Sequence, residues 1–180
     1  MPIVRNKKIE VLFSAEDIAR RNRELAEAIA LGDLSNILVL SILKGSFVFA
    51  ADLIRALHAA GLAPEVEFIS VSSYGTGTTA GKLRLLRDVD TDVQGRDILL
   101  IDDILESGNT LRFVRNLMLE RGARRVAIAV LLDKTMKRKV DITADYVGFQ
   151  CPDHFVVGYG MDVAHAFREL PFVGVVTGEA

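Results

Sequence analysis

Three carboxylates and a run of small polar residues crowd into one short stretch. It reads Asp97-Ile98-Leu99-Leu100-Ile101-Asp102-Asp103-Ile104-Leu105-Glu106-Ser107-Gly108-Asn109-Thr110. Hydroxyls and backbone N–H groups in Ser107 to Thr110 suit a phosphate. The acids beside them suit a sugar diol, a hydrated divalent cation or a proton acceptor. The flanks say how this loop is held. Four apolar residues, Ile98 to Ile101, precede Asp102 and read as a buried strand. Leu111, Val114, Leu117 and Met118 follow at helical spacing, so a helix is expected over 111–121. The unit is strand, acidic exit, small-residue loop, helix. Open α/β sheets bind ligands at that place, beyond the carboxyl ends of their strands.

The pattern recurs along the chain. Ile37–Leu43 reads as a strand, Lys44-Gly45-Ser46 as a turn, and Phe47–His58 as a helix that Gly61 ends. Val126–Leu132 is another apolar strand, closed by Asp133-Lys134. Lys44, Asp102 and Lys134 therefore share one position, the end of a strand. The basic run Lys137-Arg138-Lys139 reads as a solvated cluster. Ser14 is placed to cap a first helix that runs to Gly32, with Glu16 and Asp17 in its opening turn. Residues 3–13 form a short strand or an extended arm. Glu65–Ser73 reads as a strand and Leu83–Leu86 as its return.

Between them, Tyr74–Lys82 holds three glycines and three threonines. A flexible hairpin connection and a closing lid fit it equally. It is not a P-loop, because no Gly-Lys-Ser/Thr opens a helix there. Tyr146–Phe149, Phe155–Gly158 and Phe172–Val176 are short strands, and Tyr159–Asp162 is a turn. Helices alternating with near-continuous apolar strands predict an α/β fold, with a parallel-sheet core and helices on both faces. One domain of 1–180 is expected. Its core spans about 14–135, and a small hood combines about 1–13 with 140–180.

Composition narrows the function. Half of the 180 residues are apolar, 26% are charged and the net charge is −2. This argues against nucleic acid as a partner. The single cysteine, Cys151, reads as a small buried hydrophobe. Met1–Arg5 lacks the apolar core of a signal peptide, and no run is long enough to span a membrane. The expectation is a soluble, cytoplasmic protein without a membrane partner.

Taken together, these residues closely resemble the hypoxanthine-guanine phosphoribosyltransferases of purine salvage, from about Val11 to Val176. Leu100 to Leu111 is similar to the phosphoribosyl-diphosphate motif of that class. Leu43-Lys44-Gly45-Ser46, Leu131-Leu132-Asp133-Lys134, and Pro152 to Asp162 with Phe167-Arg168 match in order. The resemblance implies a type I phosphoribosyltransferase fold. The reaction it implies is Mg²⁺-dependent transfer of phosphoribosyl from 5-phosphoribosyl 1-diphosphate to hypoxanthine or guanine, with xanthine a further candidate.

It also implies roles. Ser107, Gly108, Asn109 and Thr110 hold the 5-phosphate. Asp102 and Asp103 meet the ribose hydroxyls and the metal's water shell. Lys44, the Gly45 backbone and Arg168 hold diphosphate. Phe155 stacks on the purine, the Val156 backbone reads its edge and Lys134 donates to O6. Asp162 binds a second Mg²⁺ or faces the 2-amino side of guanine. Ser73 and Tyr74 begin the mobile loop. The family often has a non-proline cis peptide at the Lys44–Gly45 step, which the sequence alone leaves open. A homodimer or homotetramer is implied, with Phe47–Leu53 and the arginines of the first helix as contact surfaces.

Glu106 departs from the family pattern, which usually has aspartate as the acceptor of the purine N7 proton. The extra methylene adds about 1.5 Å of reach. Glu106 is expected to remain the base. Asn109 departs too, standing where many relatives carry lysine. The Glu106 departure leaves one alternative: a regulatory protein that binds phosphoribosyl diphosphate without catalysis. A receiver-type signalling domain is disfavoured, since Leu43-Lys44 offers no phosphorylatable aspartate.

Overall fold

The computed structural model describes residues 3–4, 6–74 and 82–179. In chain order the elements are β1 (Ile3–Val4), β2 (Lys7–Phe13), α1 (Ala15–Leu31), β3 (Ile37–Leu43), α2 (Phe47–Ala59), β4 (Glu65–Tyr74) and β5 (Lys82–Arg87). Then come β6 (Asp97–Leu105), α3 (Asn109–Glu120), β7 (Arg125–Asp133), a 3₁₀ turn (Thr135–Lys137), β8 (Tyr146–Gln150), β9 (Val156–Val157) and β10 (Val173–Glu179). Among the described residues no helix is long and apolar enough to cross a membrane.

The larger sheet has six strands in the order β5-β4-β3-β6-β7-β8. All its pairings are parallel except that of β5 with β4. Alternation along the strands builds a core on each face. Val39, Leu99, Ile101 and Ala129 point toward α1 and α2, where Ile18, Leu25, Phe49 and Leu53 wait. Leu38, Leu40, Ile98, Leu100 and Ile128 point toward Leu111, Val114 and Met118 of α3. Strands buried on both faces must be apolar throughout, which is why these read as continuous runs.

Ser14 caps α1 as its sequence suggests, accepting from Asp17 N at 3.1 Å. Cys151 is buried with the α1–α2 core, and burial pushes its thiol pKa up.

The second sheet, β1-β2-β10-β9, is antiparallel and joins the two ends of the chain. Ile9, Val157, Ala166, Phe167 and Leu170 form its own small core. One sequence-based boundary is corrected here. Tyr146–Gln150 falls in the expected hood, but β8 pairs parallel with β7 as the edge of the larger sheet. Phe149 stacks on Phe13 at 4.3 Å, and Arg21 of α1 donates to the Val147 and Gly148 carbonyls at 2.8 Å. Those contacts hold the strand down against α1.

A second correction concerns the acidic exit. Asp102 and Asp103 lie within β6, which runs on to Leu105 because Ile104 and the buried Leu105 resume the apolar pattern. The ladder with β7 continues to Leu105 opposite Asp133, whereas the ladder with β3 stops at Ser41 opposite Ile101. A crevice therefore opens between β3 and β6 directly beyond Ile101. It is also where the crossovers diverge: α2 leads from β3 to β4, and α3 leads from β6 to β7 on the opposite face. This reversal is the ligand-binding position of open α/β sheets.

Candidate active site

The crevice is a cleft of about 460 Å³. Lys44, Gly45, Asp103, Glu106, Lys134, Phe155, Val156, Asp162 and Arg168 all line it. An adjoining hollow of about 100 Å³ is lined by Asp102, Glu106, Ser107, Gly108 and Thr110. Ile104 and Glu106 border both. Asn109 opens α3 and is absent from that lining. A larger hollow, about 650 Å³, lies where the first turns of α1 and α2 meet Tyr159 and the 168–171 segment. It is walled mostly by apolar side chains such as Ile18, Phe47, Val48, Leu170 and Pro171, and the residues singled out from sequence meet in the smaller cleft.

Each wall has a local cause. Gly108 adopts φ +82°, and a Cβ there would overlap Ile142 and Val140, so only glycine lets the loop turn into α3 at this depth. Lys139 N donates to Ser107 O at 2.9 Å and fastens the loop from the far side. Arg138 is not solvated as its sequence context suggests. Its guanidinium donates to Glu106 O at 3.0 Å, to Ile142 O and to Asp133, locking the β6 exit to the β7 exit.

At the β3 exit the cis peptide is Leu43–Lys44, one residue before the Lys44–Gly45 step. Gly45 packs so closely against Asp103 that a Cβ would overlap its carboxylate. A Cβ on Gly160, at φ +98°, would likewise overlap the Gly45 carbonyl oxygen. The hood turn thus seats directly on the Lys44–Gly45 loop.

Asp102 and Asp103 are neighbouring carboxylates, each half-buried. Burial raises the Asp102 pKa well above the usual carboxylate range, and the adjacent Asp103 charge raises it further. Burial also raises that of Asp103, while a hydrogen bond with the Asp102 side chain, then backbone N–H donors and the Arg168 charge, oppose the rise. Arg168 Nη2 pairs with Asp162 Oδ1 at 2.8 Å, and its Nη1 donates to Gly160 O at 2.6 Å. Asp162 Oδ2 accepts from His165 N at 2.7 Å, which fixes that carboxylate at the cleft rim.

At the other end, the Lys134 ammonium is buried. It donates to His154 O at 2.6 Å and lies 3.5 Å from Glu106 Oε1. Lys137 stands 3.9 Å from the same Glu106 oxygen and 2.8 Å from Asp153. Phe155 is 63% exposed although it lines the cleft, so one ring face is free for a planar partner. Ser73 and Tyr74 end β4, opposite Leu83 and Lys82, and the rest of the expected lid, 75–81, lies outside the described residues. Ser70 and Val71 of β4 and Leu86 of β5 also line the cleft. Nothing in their sequence pattern distinguishes them from ordinary strand residues.

Known proteins resemble this chain in sequence and in fold. The phosphoribosyl transferase domain family matches residues 9–164. A hypoxanthine-guanine phosphoribosyltransferase of Aquifex aeolicus is 42% identical over 179 residues, covering 98% of this chain and 99% of the relative. One from Bacillus subtilis is 44% identical, covering 93% of this chain and 92% of the relative. Among solved structures, a Bacillus anthracis hypoxanthine-guanine phosphoribosyltransferase with HEPES in its active site superposes with a TM-score of 0.88 at 43% identity. That match covers 95% of this chain and 99% of the other. A hypoxanthine phosphoribosyltransferase of Staphylococcus aureus gives a TM-score of 0.88 at 37% identity, with 96% and 92% covered. With the family spanning most of the sequence and the fold superposing across nearly its whole length, the chain belongs to the hypoxanthine phosphoribosyltransferase group of the phosphoribosyl transferase family.

Proposed function

We propose that the chain transfers phosphoribosyl from 5-phosphoribosyl 1-diphosphate to hypoxanthine or guanine, forming inosine or guanosine monophosphate and releasing diphosphate. One observation carries this reading. A single cleft sets a buried ammonium and a free aromatic face at one end, and a cation-bearing diphosphate wall at the other. An acid lies between them and a phosphate-sized hollow adjoins.

The residues divide the work chemically. Ser107, Gly108, Asn109 and Thr110 present N–H and hydroxyl donors to the 5-phosphate at the start of α3. Asp102 and Asp103 receive the ribose hydroxyls. Lys44, Gly45 N–H and Arg168 hold the diphosphate. Phe155 stacks on the purine and the Val156 backbone reads its edge. The Lys134 ammonium has three N–H groups, of which His154 O takes one. Another serves the purine O6. An ammonium only donates, so it pairs with a 6-oxo group and leaves a 6-amino group unmatched.

In the reaction the purine N9 bonds to C1 of the ribose as the bond from C1 to the diphosphate oxygen breaks. The N7 proton passes to the Glu106 carboxylate, and the diphosphate departs with the electron pair of the broken bond.

Mg²⁺ belongs to the proposal. Two adjacent, half-buried carboxylates with raised pKa values resist ionising together, and a nearby divalent cation offsets that cost, so Asp102 and Asp103 fit a hydrated ion shared with substrate oxygens. Bound there, Mg²⁺ would neutralise charge on the diphosphate. Asp162 is the candidate for a second ion, although Arg168 and His165 N–H occupy its oxygens in this structure. Among the described residues no three acid, histidine or cysteine side chains converge on one point, so substrate oxygens would complete either site.

A homodimer or homotetramer through α1 and the exposed Phe47 completes the proposal; of the expected contact stretch Phe47–Leu53, Phe49, Ala50 and Leu53 are buried in the core and face no partner. The regulatory alternative gains no support from the comparisons. The deciding assay mixes protein, hypoxanthine, phosphoribosyl diphosphate and Mg²⁺. Inosine monophosphate is expected, and binding without turnover would overturn the reading.

A further inference from the structure

A buried phenol outside the proposed chemistry joins the two walls of the diphosphate end. Tyr159 is 5% exposed. Its hydroxyl donates to Asp52 Oδ2 of α2 at 2.5 Å and accepts from Asn22 Nδ2 of α1 at 2.8 Å. Burial pushes the phenol pKa far up and the Asp52 carboxylate adds to the rise, so the hydroxyl keeps its proton and remains a donor.

The backbone around it is unusual. Gly158, Tyr159 and Gly160 have φ of +95°, +50° and +98°. Glycine takes such values freely, but a tyrosine there must be held. What this turn carries is the diphosphate wall. Gly160 N donates to Arg168 O at 3.0 Å, and Gly160 O accepts from Arg168 Nη1 at 2.6 Å. The Cα of Gly160 rests on the Gly45 carbonyl. On the other side, α2 begins at Phe47, directly after the Lys44–Gly45 loop, and Asp52 lies on that helix. The contact between Tyr159 and Asp52 therefore ties the Gly160–Arg168 wall to the element that carries Lys44 and Gly45.

We infer that Tyr159 is a positioning residue for diphosphate recognition. By bridging Asp52 and Asn22, its hydroxyl sets the separation between Arg168 and the Lys44–Gly45 loop. This rests on the assignment of that end of the cleft to phosphoribosyl diphosphate. A merely structural tyrosine would affect both substrates alike. A positioning one affects the substrate whose diphosphate lies between the two walls.

The test compares wild type with Tyr159→Phe, Asp52→Ala and Asp52→Asn. The measurements are the calorimetric Kd for phosphoribosyl diphosphate with Mg²⁺, KM for each substrate, and Tm. Tyr159→Phe keeps the ring packing and is expected to raise Kd and KM for phosphoribosyl diphosphate about tenfold, the effect of one hydrogen bond to a charged group. KM for hypoxanthine should stay within about twofold by the same reasoning, since Lys134 and Phe155 do not touch this network. Asp52→Ala should match it. Asp52→Asn retains an acceptor oxygen and should return affinity to within about threefold of wild type.

Equal changes for both substrates, no change for either, or Asp52→Asn behaving as Asp52→Ala would each overturn the inference, whatever happens to Tm. The proposed function is judged on wild-type turnover and this role on the difference between variants. If wild type binds phosphoribosyl diphosphate without turning over, the affinity comparison still decides.

Discussion

The Glu106 carboxylate lies 3.5 Å from the Lys134 ammonium, so the proposed proton acceptor and the proposed O6 donor are an ion pair. Lys134 leaves the end of β7 and Glu106 follows the end of β6, neighbouring parallel strands paired to Leu105 and Asp133. An aspartate at this position would end about 1.5 Å short and could not make the contact without moving the loop. The extra methylene thus links the two groups proposed to meet the neighbouring N7 and O6 positions of the same purine.

This pairing gives the first prediction. Glu106→Gln keeps the shape and loses the proton acceptor. General-base catalysis is worth roughly 10²–10⁴-fold, so kcat/KM for hypoxanthine is expected to fall at least 100-fold and the acidic limb of its pH profile to disappear. Glu106→Asp keeps the carboxylate but ends about 1.5 Å short, so its kcat/KM should fall by up to about 100-fold and stay above that of Glu106→Gln. If Glu106→Gln keeps wild-type turnover and its pH profile, Glu106 is not the base.

Lys134 carries the second prediction. Its ammonium is buried and cannot accept a hydrogen bond. Lys134→Gln removes the charge and introduces a carbonyl that can accept from a 6-amino group. Losing a charge-assisted hydrogen bond of about 1.5–3 kcal/mol should raise KM for hypoxanthine by roughly 10–100-fold. Selectivity over adenine, measured by competition between the two bases, should fall. Unchanged selectivity would place base recognition elsewhere.

The third prediction tests close packing. Alanine at Gly45 would press its Cβ into the Asp103 carboxylate. Asp103 must then swing away, and the Lys44 loop must part from Gly160. Displacements near 1 Å at reacting groups cost on the order of 100-fold, so Gly45→Ala is expected to lose about that much kcat/KM for phosphoribosyl diphosphate. The helices are held by apolar core residues such as Leu25, Leu53 and Val114 and not by this loop, so circular dichroism should stay native. A fully active Gly45→Ala would mean that the loop has slack the packing does not show.

These relationships were unevenly legible in the sequence. Strands β3, β6 and β7 are apolar on both faces, and that single pattern located Lys44, Asp102 and Lys134 at one edge of one sheet. The Asp102–Leu105 extension of β6 was hidden because two acids look like a strand's end. They are tolerated within the strand because they face a crevice where the ladder to β3 has stopped. Arg138 looked solvated beside Lys137 and Lys139, and only the fold brings the Glu106, Ile142 and Asp133 oxygens around it. In the sequence Tyr159 is simply part of a turn, since its partners Asn22 and Asp52 lie more than a hundred residues away.

Asp97 opens the same β6 strand at the opposite edge of the sheet and supplies the last prediction. It is fully buried, yet it accepts from Ser35 N at 2.8 Å, from Arg124 at 2.8 and 2.5 Å, and from Arg125 at 3.2 Å. Hydrogen bonding from Arg124, aided by Ser35 N and the two arginine charges, holds its pKa below the usual carboxylate value against the cost of burial. A folded pKa below the unfolded one means that the stabilisation is complete above about pH 4 to 5 and is lost as pH falls through the folded value. Asp97→Asn should lower Tm at pH 7 by about 3–9 °C, the loss of charge-assisted hydrogen bonds in a chain of this size. The gap between the two proteins should narrow steadily below pH 4 and nearly close once wild-type Asp97 is itself protonated. A gap that stays constant to pH 2.5 would show that Asp97 acts through shape and not through its charge.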